Sequence, residues 1–445
     1  MPRTKQSLSA VDTAWLRMER PTNLMMITGV LTFDERVDFA ALRATLSERL
    51  AGKHPRFRQC VIRKGVGPPA WRDVSDFNID DHVRFEPEVL DRAGLEAFVS
   101  RRMSASLRFD RPLWDTDIVY LKNGGTALIV RVHHSVGDGI ALIRVLISLT
   151  DDSANPNARP AETAPAKRRL KKDWAAKVRQ GARSVAYVAR RPRLWRKGIR
   201  TGAQLTSEAV GLLTMDPDTP TPMKGPLEVE KVAAWTDRLS LDDIKRIGRA
   251  HDATVNDVLM AVAAGALRRH FIDSGVPLAE NAEFRVAIPV NLRPLDEALK
   301  MGNRFGLAFL ALPIGIADPA ARLAETRHRM NAVKASTEPV VAFGILNLIG
   351  VLPLWGQEVI VGLVARNTSG VLTNVPGPRQ SIYLAGKRVH DIMFWVPQTG
   401  RVGLGISILS YDGNVLVGVT SDKGLMPNPS ALVSRFEEEV RRLDA

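Results

Sequence analysis

The sequence is organised around the run His133-His134-Ser135-Val136-Gly137-Asp138-Gly139. The preceding run, Thr126 to Val132, is apolar and rich in β-branched residues, which predicts a buried strand. The following run, Ile140 to Leu149, has apolar residues at helical spacing, which predicts a helix. The seven residues are therefore expected on a loop between a strand and a helix, where rigid elements often present catalytic groups.

The two histidines are the first candidates for chemistry, because a neutral imidazole is well suited to accept a proton near neutral pH. If the strand runs through the pair, their side chains point to opposite faces, so that only one faces a given cavity and the pair is poorly placed to bind one metal ion. Asp138 is expected to orient the loop through the imidazole or through an arginine, because a buried carboxylate needs such a partner. The alternative is a packed histidine beside a helix-capping aspartate. The seven residues together favour the catalytic interpretation.

HHSVGDG matches the HHxxxDG signature of the acyltransferase superfamily that includes chloramphenicol acetyltransferase and the condensation domains of peptide synthetases. Within it, the chain most resembles the bacterial wax ester synthase/diacylglycerol acyltransferases. Further stretches agree with that family in order and spacing over nearly the whole chain: LSAVDTAWLRME, PLWDTDIV, TVNDVLMA, PVNLRP, GNRFG, TNVPGP and SYDGNVLVGVTSD. The resemblance implies a layered α/β (α+β) fold of two chloramphenicol-acetyltransferase-like lobes, with the active-site channel between them.

The resemblance also implies a reaction, the transfer of a long-chain acyl group from acyl-CoA to diacylglycerol or a fatty alcohol. It assigns the general base to His134, with His133 and Asp138 beside it. A thiol is a good leaving group, so no covalent acyl-enzyme is needed, and the chain contains no G-x-S-x-G nucleophile motif. Acyl-CoA is a co-substrate, and no cofactor or metal ion is expected. The alternatives are an acyltransferase with another acceptor (a small alcohol, an amine or a carrier-bound substrate) or a lipid-binding protein without activity.

Supporting residues are expected around the motif. Gly137 and Gly139 belong to the motif itself, and Arg293 in PVNLRP is the candidate partner of Asp138, with a surface arginine as the alternative. Asn256 and Asn374 are candidates for stabilising the oxyanion or positioning the substrate, since family resemblance puts their stretches near the cavity.

Two further sets of residues have both a structural and a functional interpretation. For Asp257 the expected role is helix capping, because Thr254 and Asp257 have the spacing of a capping box, as do Ser9 and Asp12. Pro112, Leu113 and Trp114 match the PLW motif of the family and are expected to line an acyl channel. The structural interpretation is that they begin an apolar strand, which is compatible with lining such a channel.

The composition fits a folded chain of two lobes. Its 445 residues are 45% hydrophobic and 25% charged, which suffices for two cores and excludes wholesale disorder. The single cysteine, Cys60, excludes an internal disulfide bond and fits a reducing, cytoplasmic compartment. The first residues have no apolar run typical of a signal peptide. We predict an N-terminal lobe over 1–155, a basic linker over 156–225 and a C-terminal lobe over 226–445.

Nearly all of the net charge of +14 lies in residues 167–200, which contain 14 Lys or Arg residues and one acidic residue. Apolar and aromatic residues are interleaved with the arginines, as in an amphipathic basic helix. Three interpretations compete: a solvated linker helix, attachment to an anionic membrane or lipid-droplet surface, and nucleic-acid binding. The last is disfavoured because no recognisable nucleic-acid-binding fold accompanies the segment. Lipid substrates favour the second, with the protein peripheral to the inner face of the membrane or to lipid bodies.

Residues 340–364 are the most apolar stretch of the chain and are long enough to suggest a membrane span. The stretch is interrupted by Asn347, Pro353, Gln357 and Glu358, which favours two helices joined near Pro353. An exposed apolar face that docks on lipid and plain core packing are equally compatible with this pattern.

Overall fold

The computed structural model describes residues 5–63, 67–154, 211, 215, 219–293, 301–398 and 400–444. These residues form two α/β lobes, each built on one large β-sheet. The basic segment 167–200 lies outside the described residues, so that its role stays a prediction.

Among the described residues, the N-terminal half supplies seven strands and four α-helices. The strands are β1 (Lys5–Ser7), β2 (Met26–Phe33), β3 (Gln59–Ile62), β4 (Ala70–Asp73), β5 (Val83–Leu90), β6 (Trp114–Leu121) and β7 (Thr126–His133). The helices are α1 (Ala10–Met18), α2 (Phe39–Thr45), which continues into a π-helix (Leu46–Ala51), α3 (Arg92–Met103) and α4 (Gly139–Leu149). Short 3-10 helices span Pro55–Arg58 and Ile79–Asp81. β1, β4 and β3 form a small separate sheet.

The C-terminal half supplies the remaining elements. Its strands are β8 (Lys231–Trp235), β9 (Leu239–Ser240), β10 (Phe284–Asn291), β11 (Phe305–Leu312), β12 (Gly370–Pro376), β13 (Tyr383–Leu384), β14 (Lys387–Arg388), β15 (Ile392–Trp395), β16 (Leu404–Tyr411) and β17 (Asn414–Asp422). Its helices are α5 (Leu241–Ala250), α6 (Val255–Asp273), α7 (Pro319–Ala335), α8 (Glu338–Val351), α9 (Leu354–Arg366) and α10 (Pro429–Asp444). The large sheet has the order β11-β10-β12-β16-β17-β8, and β9 also pairs with β17.

Local sequence signals account for many of the element boundaries. Ser9 caps α1 by accepting a hydrogen bond at 3.1 Å from the backbone N–H of Asp12, and Thr254 and Asp257 form the predicted reciprocal capping box of α6. The hairpin between β16 and β17 turns at Asp412 and Gly413, whose φ angles of 47° and 79° match the turn that favours an Asp-Gly pair.

One short strand from the C-terminal half completes the sheet of the N-terminal lobe. β15 pairs antiparallel with β2, which gives that sheet the order β15-β2-β7-β6-β5. The sequence pattern predicts no strand at β15 or at β5. β15 consists of only four residues, all buried, and Trp395 packs edge-on against Trp235 with ring centroids 5.3 Å apart. The predicted boundary at residue 226 stays a prediction, but β15 links the two halves of the chain.

The apolar stretch 340–364 forms two helices, α8 and α9, which are joined at Pro353 as predicted. The inner face of α8 packs against α1, in a cluster that includes Val11, Trp15 and Phe305. None of the described helices is by itself long and apolar enough to cross a bilayer; α7 and α8 meet that test only as a pair, which is bent by 59°.

Candidate active site

The HHSVGDG loop lies against a loop from the other lobe. Gly137 forms a parallel bridge with Gly302, and a Cβ atom at Gly137 would lie 3.2 Å from Cε of Met301. Gly302 has φ +103°, a left-handed conformation that favours glycine. Small residues on both sides therefore allow residues 133–139 and 301–304 to approach closely, and we call this contact the interlobe clasp.

His134 is buried at the clasp between an amide and two aromatic rings. Its Nδ1 lies 2.9 Å from Oδ1 of Asn303. Its ring stacks on Trp15, with centroids 4.0 Å apart and planes inclined by 15°, and Phe305 lies 5.6 Å away. The amide fixes one edge of the imidazole and the aromatic rings hold its plane.

The amide of Asn303 also determines the tautomer of His134. Its Nδ2 donates to Oδ1 of Asp12 and to the backbone carbonyl of His134, both at 2.7 Å. These two acceptors orient the amide, so that Oδ1 faces the imidazole and Nδ1 of His134 must carry the proton. Among the described residues none hydrogen-bonds to Nε2, whose lone pair is therefore available to a substrate.

Burial controls the protonation of His134. Loss of hydration lowers the pKa of the imidazole to about 4, although the nearby Asp138 carboxylate acts in the opposite direction. The imidazole is therefore neutral at physiological pH. Burial also raises the pKa of the Asp12 carboxyl, although the hydrogen bonds that it accepts from Asn303 act to lower this pKa.

The ring of His133 has other partners than the ring of His134. Its Nδ1 accepts a hydrogen bond from the backbone N–H of Ser135 at 3.1 Å and lies 2.8 Å from the Ser135 hydroxyl. Its Nε2 faces the Glu19 carboxylate at 3.4 Å. The ring is completely buried, and these contacts are compatible with a structural role for His133. The catalytic roles of the two histidines stay predictions.

Asp138 holds the loop through an arginine, which was one of the two predicted arrangements. Its Oδ1 caps α4 by accepting from the backbone N–H of Ala141 at 2.8 Å. Its Oδ2 accepts from Arg293 at 2.7 Å and from the backbone N–H of Arg304 at 3.1 Å. Both Asp138 and Arg293 are buried. The predicted contact between them is thus present, and it joins the two lobes next to His134.

The other candidate polar residues lie in the C-terminal lobe. Nδ2 of Asn374 donates to Oδ1 of Asn256 at 2.8 Å, and both side chains are partly buried. Among the described residues neither amide hydrogen-bonds to His134, so that a role at the oxyanion stays a prediction. The carboxylate of Asp257 takes part in the capping box, in agreement with its predicted capping role, and its Oδ1 lies 3.4 Å from Nζ of Lys334.

Pro112, Leu113 and Trp114 are buried in the N-terminal core beneath the motif. Nε1 of Trp114 donates to the carbonyl of Phe57 at 2.9 Å, and its ring stacks on His82 with centroids 4.6 Å apart. The carbonyl of Leu113 accepts from the backbone N–H of His133 at 3.0 Å. The predicted channel-lining role gains no support from these contacts. Trp114 begins β6, so that the predicted start of an apolar strand is present, and the channel-lining role stays a prediction.

An apolar cavity of about 110 Å³ lies between α4 and the sheet of the N-terminal lobe. Gly139 lines it at the start of α4, directly after Asp138 in the sequence. Its other walls are apolar side chains from β2, β7, β15, α4 and the π-helix, among them Ile27, Val132, Leu142, Leu146 and Phe394. The described part of the chain contains no group of His, Cys, Asp or Glu residues arranged to hold a metal ion.

Four residues around His134 are absent from the candidates chosen by sequence: Asp12, Trp15, Asn303 and Phe305. All four stand in stretches that share the family pattern, LSAVDTAWLRME and GNRFG. The signal was therefore present. Only the structure shows that these distant stretches meet at His134.

Comparisons with known proteins agree with this geometry. Residues 8–259 match the wax ester synthase/diacylglycerol acyltransferase catalytic domain, and residues 301–444 match the WS/DGAT C-terminal domain. A putative diacylglycerol O-acyltransferase of Mycobacterium tuberculosis is 28% identical over 98% of this chain and 90% of its own length.

Solved structures share the fold. A wax ester synthase/diacylglycerol acyltransferase from Marinobacter aquaeolei VT8 superposes with a TM-score of 0.69 over 98% of both chains at 20% identity. The first condensation domain of the calcium-dependent antibiotic synthetase superposes with a TM-score of 0.62 at 17% identity, over 99% of this chain and 96% of its own. The predicted two-lobed fold is thus confirmed, and the two domain matches together span most of the sequence. The chain belongs to the wax ester synthase/diacylglycerol acyltransferase family and is an acyltransferase.

Proposed function

We propose that the protein transfers a long-chain acyl group from acyl-CoA to the hydroxyl of diacylglycerol or a fatty alcohol, with Nε2 of His134 as the general base. The observation that carries the proposal is the buried, neutral imidazole whose Nδ1–H is held by Asn303 and whose Nε2 is left available. The names of the relatives, diacylglycerol O-acyltransferase and wax ester synthase, support the two classes of acceptor.

The proposed reaction needs one proton acceptor and one proton donor. The alcohol oxygen attacks the thioester carbonyl, and His134 takes the hydroxyl proton as the C–O bond forms. The tetrahedral intermediate then collapses, the C–S bond breaks, and the imidazolium returns the proton to the thiolate of CoA. A weakly basic imidazole suffices, because the hydroxyl proton becomes strongly acidic as its oxygen bonds to the carbonyl carbon.

Asp138 has a positioning role in this reaction. Both of its carboxylate oxygens are occupied, one by the backbone of α4 and the other by Arg293 and Arg304. Asn303, and not Asp138, contacts Nδ1 of His134. Asp138 therefore holds the loop and the two lobes together, and the neutral amide keeps the base in its productive tautomer without adding a charge.

The apolar cavity beneath α4 is the proposed site for the acyl chain. It begins at Gly139, next to the catalytic loop, and its walls offer no hydrogen-bonding partner to a polar substrate. An acyl chain bound there is removed from water, which stabilises it by roughly 0.8 kcal/mol for each buried methylene group.

The location of the reaction follows from its substrates. Diacylglycerol and fatty alcohols partition into membranes and lipid bodies, so we propose that the protein works as a peripheral protein at such a surface. The basic segment 167–200 supports this, because each Lys or Arg near an anionic leaflet contributes about 1 kcal/mol.

Replacing His134 tests the proposed base. In the His134→Gln variant we expect acceptor-dependent thiol release from a long-chain acyl-CoA to fall by roughly 10²–10⁴-fold, because general-base help is lost. Release is measured with hexadecanol, with diacylglycerol and without acceptor. His328→Ala, which removes an exposed imidazole, is the control. Release that survives in a folded His134→Gln protein would contradict the role of His134. If the wild-type protein released no thiol with either hexadecanol or diacylglycerol, the proposed acceptors would be wrong.

The pH dependence tests the environment of His134. An ordinary histidine has a pKa of about 6.5 and becomes protonated as the pH falls through that value. Because burial lowers the pKa of His134 to about 4, the active neutral form should persist well below this range. We therefore expect kcat/KM to stay constant as the pH is lowered through about 6.5, with circular dichroism showing that the protein remains folded. Loss of half the activity near that pH would show a solvated imidazole.

Filling the cavity tests the acyl site. The Leu142→Trp variant places a larger side chain in the cavity wall, so we expect activity with palmitoyl-CoA to fall by about tenfold or more relative to activity with acetyl-CoA. Ser148→Trp, on the exposed face of the same helix, is the matched control. An unchanged ratio between the two donors in Leu142→Trp would place the acyl chain elsewhere.

A further inference from the structure

The corner between α8 and α9 exposes apolar side chains that no described residue covers. Leu348, Val351, Leu354, Trp355 and Val359 have exposed fractions of 49%, 70%, 55%, 72% and 58%. On α8 the exposed positions Gly344, Leu348 and Val351 follow helical spacing, and on α9 Trp355, Val359 and Gly362 do the same. We call this continuous surface the apolar corner.

The apolar corner carries very little charge. Glu358 is the only charged residue between Pro339 and Ala365. Its carboxylate is paired with Arg20 at 2.8 Å. Arg20 and Glu358 neutralise each other, and Arg17, which donates to the carbonyl of Leu352 at 2.9 Å, is a cation beside the corner.

Three backbone carbonyls at the corner are satisfied by side chains of the protein. Arg17 donates to the carbonyls of Leu352 at 2.9 Å and of Gly350 at 3.4 Å, which lie where α8 ends. Asn347 donates to the carbonyl of Phe343 at 2.8 Å. Helix ends leave carbonyls without intrahelical partners, and in lipid such groups cannot turn to water. The corner thus meets a requirement for contact with lipid.

We infer that the apolar corner inserts into the surface of a phospholipid membrane with anionic headgroups. A tryptophan among aliphatic residues, flanked by arginines, is the composition of a segment that lies in the membrane interface. A stable protein dimer needs about 800 Å² of each partner and some 20–30 residues a side. Five large apolar side chains are exposed at the corner, far fewer than such an interface involves, which favours insertion between headgroups over a protein interface.

The corner also lies close to the proposed base. A Cβ atom at Gly350 would overlap the carbonyl of Ala10, so that α8 and α1 are in direct backbone contact. Ile345 and Ile349 on the inner face of α8 belong to the same cluster as Trp15 and Phe305, which contact His134. The inner face of α8 and the aromatic residues that contact His134 therefore belong to one apolar cluster. Delivery of a lipid alcohol from the apolar corner to His134 rests on the proposed function. Insertion of the corner into the membrane does not.

The test replaces two exposed residues at the corner and compares a matched variant. Vesicles of equal parts phosphatidylcholine and phosphatidylglycerol are sedimented with the full-length protein. For Val351→Asp/Trp355→Asp we expect at least about tenfold weaker partitioning, because two inserted apolar groups become charged. The matched control is Val229→Asp/Ile272→Asp, which makes the same change of charge at two apolar residues outside the corner that are 48% and 50% exposed. This variant should bind the vesicles as the wild type does.

Fluorescence shows directly whether the corner enters lipid. Brominated phospholipids should quench a component of the tryptophan emission that is absent from the Trp355→Phe variant. Equal partitioning of the two Asp double variants, or emission from Trp355 that brominated lipid leaves unchanged, would overturn the inference. A dimer that Val351→Asp/Trp355→Asp converts to a monomer without lipid would also overturn it, since a second copy would then cover the face.

Activity separates this inference from the proposed function. Val351→Asp/Trp355→Asp should keep wild-type activity with butan-1-ol, which is dissolved in water, and lose about tenfold with diacylglycerol held in vesicles. A wild-type protein that binds vesicles through the corner but transfers no acyl group would refute the proposed function alone. Equal losses with both acceptors would refute a docking role for the corner.

Discussion

The hydrogen bond from His134 Nδ1 to the amide of Asn303 is the interaction on which the site depends. Asn303 has no freedom to turn its amide, because Asp12 and the backbone of His134 accept from its nitrogen. A neutral amide therefore does what a carboxylate does in other histidine sites: it holds one tautomer and one ring position. Because the amide adds no negative charge, burial lowers the pKa of the imidazole to about 4 and keeps it neutral.

This interaction explains why the protein needs both lobes. His134 and Asn303 are 169 residues apart in sequence and meet only when the two lobes are closed on each other. The ion pair between Asp138 and Arg293 is buried beside them and likewise joins residues of the two lobes. Removing one member of such a pair leaves an uncompensated buried charge, which typically costs about 3–5 kcal/mol. β15 adds a third link, since it places a strand from the C-terminal half in the N-terminal sheet.

Local patterns in the sequence predict the elements and the motif well, and pairings between distant segments poorly. The strand-loop-helix around HHSVGDG, the capping box at Thr254 and Asp257, and the helix break at Pro353 follow from signals a few residues apart. The contact between Asp138 and Arg293 was predictable because a buried carboxylate must have a cation. The role of Asn303 was not, since a neutral amide has many equivalent partners. β15 was missed because four apolar residues do not reveal which sheet they join.

The most direct test of this account is the tautomer of His134, read from ¹⁵N chemical shifts of histidine-labelled protein at neutral pH and assigned with the His134→Gln variant. Our account predicts a neutral ring that is protonated at Nδ1 and bare at Nε2. A ring protonated at Nε2 alone would leave no lone pair for the alcohol proton, and an imidazolium would show that burial does not hold the base neutral. Either result would contradict the central claim.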